Sequence, residues 1–549
     1  MSEVRFYSRV STKAACDPVK TVFICAPQVD AIDEKHLEEF AERSGWIDAL
    51  EDDGALLIMP VCDDWSQASV DLLTEIYQKN RNSFLAPGGK AIPGRNGIVW
   101  TWETLIYLVG YGEGADYAGQ VLVKHPNMFA GTALIKGGPH DFSDGSLASD
   151  HWLIANPSAD YCTRNSDVPS AVWFFGTYEG QKEAADYFCT INRSTNVQKK
   201  TITVNGTEKN VPIRLYADQK EATAQVGIVE GDLNEKEISS LTLHNFFNHI
   251  IRWKNSPDGT LGYLSGKYDF YHGDLYQHHE VTVNGLSYPY AVHLPAGKSN
   301  EELTNIPVVF SIHGRGEPAW LFAEKNGWNE LADASGEFIA VYPDSPENIW
   351  SITRDRDSIS SIIEDLTRFY SINRSRIYLT GFSNGAVFTC QQMTTFPYLF
   401  AAASPWNGPS MEACSRMDAS MMGNYYFAPD FLESGYEMPV WLCVGDNDTK
   451  AGLDRSEELA VYLQADHCDA TVVKVLDQSN YYTASNGYND GSRFNTHLYS
   501  SHSQIPMVGY TVMKNMPHGA VKEESKAAWA FMRRFARHNQ SKEISYTGE

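Results

Sequence analysis

The sequence lacks the patterns that would assign the chain to a membrane or to nucleic acid. No run of about 18 apolar residues occurs in its 549 residues, so no membrane-spanning helix is expected. Basic residues are few: 44 lysines and arginines stand against 69 aspartates and glutamates. A net charge of −25 repels nucleic acid and anionic lipid, so we exclude both as partners.

Metal, cofactor and export signals are also missing. The nine cysteines are scattered, without a C-x-x-C pair or a Cys/His spacing typical of a metal site. GEGADYAG (112–119) is too loose for a dinucleotide fingerprint, so we predict no cofactor and no metal. The first residues show no apolar core of a signal peptide, and the dispersed cysteines are typical of reduced thiols. We therefore expect a cytoplasmic location.

The residues that are present describe an α/β protein of more than one domain. Apolar residues make up 43% of the chain and aromatic residues 12%, enough for a core in each domain. Short apolar runs such as VVFSI (308–312) and RIYLT (376–380) are separated by helical stretches such as 357–371. This alternation predicts mostly parallel sheets with helices on both faces.

The chain contains two similar halves. TVFICAP (21–27) resembles VVFSIHG (308–314), and IYLVGYGEGADYA (106–118) resembles IYLTGFSNGAVFT (377–389). Further matches follow in the same order, which favours a duplication over two unrelated α/β domains. We predict a first domain over 1–254, a turn-rich linker over 255–267 and a second domain over 268–549.

The second half carries a G-x-S-x-G motif between a strand and a helix. In GFSNG the two glycines allow a tight turn that exposes the Ser383 hydroxyl above the carboxyl edge of the sheet. The same turn directs the Asn384 amide to that point, at the start of the next helix. We predict Ser383 as a nucleophile and the Asn384 N–H as one oxyanion donor.

A serine nucleophile needs a base that an acid orients, and the order expected along the chain is serine, then acid, then histidine. VWLCVGDND (440–448) ends a strand with two candidate acids, Asp446 and Asp448. We prefer Asp448 because it lies deeper in the loop, and Asp446 is the alternative that could instead cap or brace the turn. His518 is the histidine between the terminal strand and the closing helix.

A second oxyanion donor should come from the loop after an early strand. In SIHGRGEP (311–318), Gly314 allows close approach to a substrate and the Arg315 amide is the predicted donor. The alternative is a tight turn without chemistry. The Arg315 side chain could brace the loop or meet a substrate carboxylate.

Aromatic residues near these motifs are candidates for the substrate pocket. We predict that Trp406 and Trp320 border it together with Gly314, and Tyr425 and Tyr426 are weaker candidates. For each aromatic residue the alternative is ordinary core packing.

These motifs resemble a known family of esterases. VVFSIHGRGE, NGWNELAD, RIYLTGFSNGA, FPYLFAAASPWNG and VGDND are similar to poly(3-hydroxybutyrate) depolymerases and to feruloyl and acetyl-xylan esterases, over roughly residues 278–540. The resemblance implies an α/β-hydrolase fold and a serine carboxylic-ester hydrolase with a Ser-Asp-His triad. We name the G-x-S-x-G turn at Ser383 the elbow. Members of this family often have HG-T-x-D at the acid loop, where this chain has VGDND, and often have Gly-Gly after the asparagine of the elbow, where this chain has Gly-Ala. No polymer-binding domain is visible, which favours small soluble esters as substrates.

The first half has lost the matching residues. Gly112 stands opposite Ser383, and Glu113 stands opposite Asn384. Ala26-Pro27 stands opposite His313-Gly314, and a proline has no N–H to donate. Opposite Asp446 and Asp448 stand Thr177 and Glu179 if the glycines are aligned with a gap. Without a gap, Tyr178 and Gly180 stand there.

We expect residues 1–254 to be a degenerate hydrolase-like domain that docks on, caps or dimerises the second half. The alternative is an activity of its own. For the whole chain the alternatives are a peptidase or acyltransferase with the same triad, and a binding protein without catalysis.

Overall fold

The structure of the protein is a computed structural model that describes most of the chain. The described residues are 4–11, 19–80, 101–149, 164–204, 207–217, 223–252, 261–263, 270–417, 423–446, 448, 451–477, 494–514, 516, 518–538 and 541–548. They form two compact units, one built from residues up to 265 and the other from residue 266 onwards. Each unit contains one large mixed sheet, as the predicted α/β class requires.

The first unit is organised around a nine-stranded sheet with the order β1-β3-β2-β4-β5-β6-β9-β8-β7. The strands from β3 to β9 in this order are parallel to their neighbours, and the antiparallel pairs lie at the two edges. The strands are β1 Phe6–Val10, β2 Val19–Cys25, β3 Leu56–Pro60, β4 Thr101–Tyr111, β5 Gly131–Ile135, β6 Val172–Phe175, β7 Val197–Thr203, β8 Asn210–Ala217 and β9 Gln225–Val229, with β10 Ile250–Arg252 and β11 Leu261–Tyr263 in a separate ribbon. The strand β11 therefore lies inside the stretch predicted as a linker.

The second unit has a ten-stranded sheet with the order β12-β13-β15-β14-β16-β17-β18-β21-β20-β19. Its centre, from β15 to β21, is parallel. The strands are β12 Gln277–Val283, β13 Leu286–His293, β14 Ile306–Ile312, β15 Ile339–Pro343, β16 Ile372–Phe382, β17 Ala402–Trp406, β18 Val440–Gly445, β19 Lys474–Asp477, β20 Phe494–Ser500 and β21 Pro506–Met513, with β22 Phe535–Ala536 and β23 Ser545–Tyr546 in a separate pair. The second sheet is therefore mostly parallel, as the sequence predicts.

Helices occupy the connections between the strands. In the first unit they are α1 Glu34–Arg43, α2 Trp46–Asp53, α3 Leu72–Asn80, α4 Glu113–Lys124, α5 Tyr178–Ile191 and α6 Glu235–Asn245. In the second they are α7 Ala319–Lys325, α8 Trp328–Ser335, α9 Ile352–Asp355, α10 Ser358–Phe369, α11 Asn384–Thr395, α12 Met411–Ser415, α13 Phe431–Ser434, α14 Ser456–Ala465 and α15 Lys522–Met532. None of the helices in the described part of the chain combines the length and apolar character needed to cross a membrane.

Local sequence explains these elements. The central strands are continuous apolar runs, and the residues of β15 and β17 are all buried. The antiparallel pair β12–β13 turns through Asn284 and Gly285, which both have positive φ, as a tight Asn-Gly hairpin requires. Asp33 accepts the His36 N–H and thereby caps the start of α1.

The two units share features that lie away from the predicted site. In the first, the buried Arg252 donates from Nε to the Phe129 carbonyl at 2.7 Å. In the second, the buried Arg537 donates from Nε to the Phe400 carbonyl at the same 2.7 Å. Phe129 and Phe400 stand at the same place in the two halves, each 19 residues after the matching glycines Gly110 and Gly381.

A second shared feature sets the strand register. A Cβ at Gly227 would lie 2.6 Å from Cδ1 of Trp173, and a Cβ at Gly509 would lie 2.6 Å from Cδ1 of Trp441. Each glycine therefore makes room for the tryptophan on the neighbouring strand. Trp173 thus corresponds to Trp441, which is the alignment without a gap.

Candidate active site

The G-x-S-x-G turn joins β16 to α11 at the carboxyl edge of the second sheet. Ser383 has φ 56° and ψ −118°, a backbone conformation that residues with a side chain rarely adopt. A Cβ at Gly385 would lie 2.4 Å from the Ile312 carbonyl oxygen, so this position requires glycine. The turn leaves the Ser383 side chain half-buried at the edge of the sheet.

Ser383, His518 and Asp448 form a hydrogen-bonded series. The Nε2 atom of His518 is 2.9 Å from Oγ of Ser383, and Nδ1 is 2.7 Å from Oδ2 of Asp448. Because the carboxylate can only accept, Nδ1 carries the proton and Nε2 accepts from the hydroxyl. Asp448 is buried, and its other oxygen accepts the Ala451 N–H at 3.0 Å. The histidine is therefore oriented with its basic nitrogen towards the serine.

Asp446, the alternative acid, lies at the end of β18. Its backbone N–H donates to the Met513 carbonyl at 3.0 Å, and its side chain is exposed. Of the two candidate acids, the structure therefore brings only Asp448 into contact with the imidazole.

Asn407 connects the loops that carry the acid and the histidine, and the sequence analysis did not select it. Its Oδ1 accepts the Gly445 N–H at 2.6 Å, and its Nδ2 donates to the Gly519 carbonyl at 2.7 Å. It is fully buried and has φ 45°, a left-handed conformation that asparagine tolerates. The sequence feature that could have indicated Asn407 is a polar residue directly after β17, the buried strand next to β16.

The loop of residues 313–317 carries the predicted donor Arg315, and we name it the oxyanion loop. Hydrogen bonds within the loop and to Ser345 and Asn348 hold it in place. The Ser345 N–H donates to Nε2 of His313 at 3.2 Å, so Nδ1 carries the proton and donates to the Gly314 carbonyl at 2.8 Å. Burial lowers the pKa of His313 to about 4, so the ring is neutral at neutral pH. The Gly316 N–H donates to the Asn348 carbonyl at 2.6 Å.

These contacts orient the Arg315 amide. The Arg315 N–H and the Gly314 carbonyl belong to one planar trans peptide and point in opposite directions. Fixing the carbonyl on His313 therefore fixes the direction of the N–H. The Arg315 side chain is exposed.

Asn384 braces the elbow through its side chain. Its Oδ1 accepts the Trp350 N–H at 2.7 Å and its Nδ2 donates to the Trp350 carbonyl at 3.0 Å. Its backbone N–H belongs to the first turn of α11, where amides lack carbonyl partners within the helix.

The aromatic candidates divide into two groups. Trp406 has no exposed surface, stacks on Trp328 with ring centroids 5.9 Å apart, and donates its indole N–H to Ser404. The structure therefore favours core packing for Trp406 over the pocket wall that we predicted. Trp320 is 6% exposed, and within the described residues its buried indole N–H has no partner. Tyr425 bonds to Thr395 through its hydroxyl at 2.9 Å.

The corresponding turn in the first unit has the same shape. Gly112 has φ 54° and ψ −125°, and its N–H donates to the Ile135 carbonyl as that of Ser383 donates to the Trp406 carbonyl. The register set by the tryptophans places Tyr178 and Gly180 opposite Asp446 and Asp448. In the first unit this position is the start of α5, and neither residue is a carboxylate.

Among the residues that the structure describes, no group of three or more His, Cys, Asp or Glu side chains is arranged to hold a metal ion.

Comparison with known proteins gives partial matches. No protein-family model matches the chain. A bifunctional acetylxylan esterase/xylanase of Neocallimastix patriciarum is 34% identical over 116 residues, which cover 20% of this chain and 17% of that protein. Poly(3-hydroxyalkanoate) depolymerase C of Paucimonas lemoignei is 30% identical over 142 residues, covering 23% and 33%. Acetylxylan esterase A of Talaromyces purpureogenus is 30% identical over 117 residues, covering 19% and 30%.

The chain thus spans 33% or less of the length of these three relatives. Over those segments, the predicted resemblance to acetylxylan esterases and polyester depolymerases is confirmed. Among solved structures, the acetyl xylan esterase from Aspergillus awamori aligns with 47% of this chain and 99% of its own, at 18% identity and a TM-score of 0.37.

Proposed function

We propose that the second unit is a serine carboxylic-ester hydrolase in which Ser383, His518 and Asp448 act as a catalytic triad. The observation that carries the proposal is the hydrogen-bonded series Ser383–His518–Asp448 at a strained strand-to-helix turn. The partial similarity to esterases supports the same reaction class.

The acylation step uses the orientation of the imidazole. Ser383 Oγ attacks the ester carbonyl, and His518 Nε2 takes its proton as the new C–O bond forms. The buried Asp448 carboxylate stabilises the resulting imidazolium and keeps Nδ1 protonated. When the tetrahedral intermediate collapses, His518 returns the proton to the leaving alcohol and an acyl-enzyme remains. Water, activated by the same nitrogen, then releases the acid.

The developing oxyanion is stabilised by backbone amides. We assign this role to the N–H groups of Arg315 and Asn384, which the His313 and Trp350 contacts hold in fixed orientations. Gly314 lets the loop pack closely on the turn that carries Ser383, because a Cβ there would lie 3.0 Å from Cδ1 of Phe382. Trp320, which follows this loop in α7, is the remaining aromatic candidate for the pocket wall.

The substrate is proposed to be a small soluble ester. The names of the relatives refer to acetylated xylan and to poly(3-hydroxyalkanoate), so acetyl and 3-hydroxyacyl esters are the first to test. No cofactor is proposed. The cysteines of the described residues are free thiols, which supports the proposal of a cytoplasmic location.

The first unit is proposed to be a duplicated hydrolase-like domain without acyl-transfer activity. The shared strand order, the matching Arg252 and Arg537 contacts, and the turn at Gly112 support this proposal. Its role would be to dock on, cap or dimerise the catalytic unit. Sedimentation of the full-length chain would test the last of these, since a monomer at all concentrations would exclude homo-oligomerisation.

A peptidase or an acyltransferase could use the same triad and is the alternative. Hydrolysis of an ester and of its matching amide would separate the ester hydrolase from a peptidase. Product analysis with a competing alcohol would detect acyl transfer. A binding protein without catalysis would show none of these activities.

Labelling with a fluorophosphonate tests the nucleophile. We expect the full-length chain to be labelled and to hydrolyse p-nitrophenyl acetate, and Ser383→Ala to lose both. Ser335→Ala is the matched control, because Ser335 is an exposed serine of the same unit. Labelling that survives in Ser383→Ala would refute the assignment.

A further inference from the structure

A buried ion pair joins Glu317, the last residue of the oxyanion loop, to Lys325 in α7. Neither side chain has a role in the proposed acyl transfer. The Lys325 Nζ is 2.9 Å from Oε1 of Glu317, and the two side chains are 3% and 0% exposed. Burying two charges is unfavourable unless their geometry is good and further hydrogen bonds satisfy them. The contacts of the two side chains therefore indicate what the pair is for.

Glu317 holds the oxyanion loop. Its Oε2 accepts the Gly314 N–H at 3.4 Å, and its own N–H donates to the Gly314 carbonyl at 3.3 Å. Glu317 thus contacts both peptide groups of Gly314. Because one of these peptides contains the Arg315 N–H, the position of this N–H depends on Glu317.

Lys325 contacts the elbow. Its Nζ lies 4.3 Å from the ring centroid of Phe382, the residue before Ser383, in a cation–π arrangement. The same ring is 5.0 Å from the imidazole of His518. A Cβ on Gly314 would lie 3.0 Å from Cδ1 of Phe382, so the loop packs directly on this ring. The ion pair therefore connects the loop to the strand that presents the nucleophile.

We propose that Glu317 and Lys325 are positioning residues that set the distance between the two halves of the oxyanion hole. One half is the Arg315 amide on the loop, and the other is the Asn384 amide after the elbow. This inference rests on the proposed esterase function. The new claim is that the Glu317–Lys325 pair stabilises the transition state more than it stabilises the bound substrate, although neither side chain contacts the reacting atoms.

The chemistry follows from where charge develops. The oxyanion forms only as Ser383 attacks, so a displaced loop weakens the transition state and leaves ground-state binding of the ester nearly unchanged. The expected signature is a fall in kcat at constant KM, with weaker binding of a boronic acid, whose tetrahedral serine adduct places an oxygen in the oxyanion hole.

The central experiment replaces the pair by apolar residues of similar size. Such replacements of buried ion pairs are often neutral or stabilising, whereas the Gly314 N–H loses a long, weak hydrogen bond. Glu317→Leu/Lys325→Met should therefore fold and melt close to the wild-type temperature. We expect kcat with p-nitrophenyl acetate to fall about 10- to 100-fold and the boronic acid affinity to fall by the same factor. KM should stay within about twofold.

The matched control is an exposed ion pair of the same unit. Arg374 and Glu364 are 2.6 Å apart, with side chains 52% and 64% exposed. Glu364→Gln/Arg374→Met should leave kcat, KM and the boronic acid affinity unchanged, because exposed pairs contribute little.

A second variant applies if the apolar pair does not fold. Glu317→Gln retains an acceptor for the Gly314 N–H, so its kcat should fall less than that of the apolar pair, again at constant KM. A folded variant of either kind with wild-type kcat and boronic acid affinity would overturn the inference and leave the proposed function intact. Wild-type protein that a fluorophosphonate does not label would overturn both.

Discussion

Asn407 is expected to determine whether the acid and the histidine meet. Its amide is the direct link between Gly445, which ends β18, and Gly519, which follows His518. Asn407→Gly removes both hydrogen bonds and permits the positive φ of 45° that this position has. The substitution therefore tests the side chain without adding backbone strain.

The magnitude follows from the two backbone groups left without partners. Each buried unpaired group costs about 1–3 kcal/mol, so we expect a loss of about 2–6 kcal/mol in the free energy of unfolding. At roughly 2–4 °C per kcal/mol this is a fall of about 4–24 °C in the melting temperature. A displacement of about 1 Å between the two loops would lower kcat about 10- to 100-fold.

The assay combines thermal melting with steady-state hydrolysis of p-nitrophenyl acetate at a temperature where the variant is folded. Asn305→Gly is the control, because Asn305 also has a positive φ, of 53°, but an exposed side chain. It should melt and react like the wild type. A variant of Asn407 that melts lower yet keeps the wild-type kcat would refute the positioning role.

Three further predictions concern other parts of the chain. Burial lowers the pKa of His313 to about 4 from its usual 6.5, so below pH 6.5 the unfolded chain takes up a proton that the folded chain does not. The wild type should therefore lose about 3 kcal/mol more stability than His313→Gln between pH 7 and pH 4 by chemical denaturation, and equal losses would contradict this. A Cβ at Gly112 meets nothing within 4 Å, so a serine fits there. Gly112→Ser in a Ser383→Ala background should nevertheless restore neither labelling nor hydrolysis, because residues 229–235, which stand opposite His518, contain no histidine. Gly385→Ala should lower the hydrolysis of p-nitrophenyl acetate at least about tenfold, because the new Cβ would lie 2.4 Å from the Ile312 carbonyl oxygen and the turn at Ser383 would have to move. Unchanged hydrolysis would argue against a tight turn at this position.

Parts of the site that depend on local sequence could be predicted. The strand, the turn at Ser383 and the start of α11 follow from a continuous apolar run and two glycines within a few residues. The placement of His518 between the last strand and the closing helix is likewise a matter of chain order.

Parts that depend on packing could not be predicted. The sequence favours Asp448 over Asp446 but leaves both open, because the path of the loop after β18 has no periodicity to read. Trp406 was assigned to the pocket because it follows the elbow in the sheet, but it packs inward on Trp328. Glu317 and Lys325 are ordinary charged residues in the sequence, and only the folded chain shows that both are buried.

Detection of the acyl-enzyme on Ser383 tests the proposed catalytic triad most directly. The full-length chain would be mixed with p-nitrophenyl acetate, quenched during the first turnover with acid, and digested for peptide mass spectrometry. The account predicts an acetyl group on the peptide that contains Ser383, formed together with a burst of p-nitrophenol. An acetyl group found on another residue would contradict the triad assignment. Hydrolysis that shows no acyl-enzyme and is unaffected by Ser383→Ala would contradict it as well.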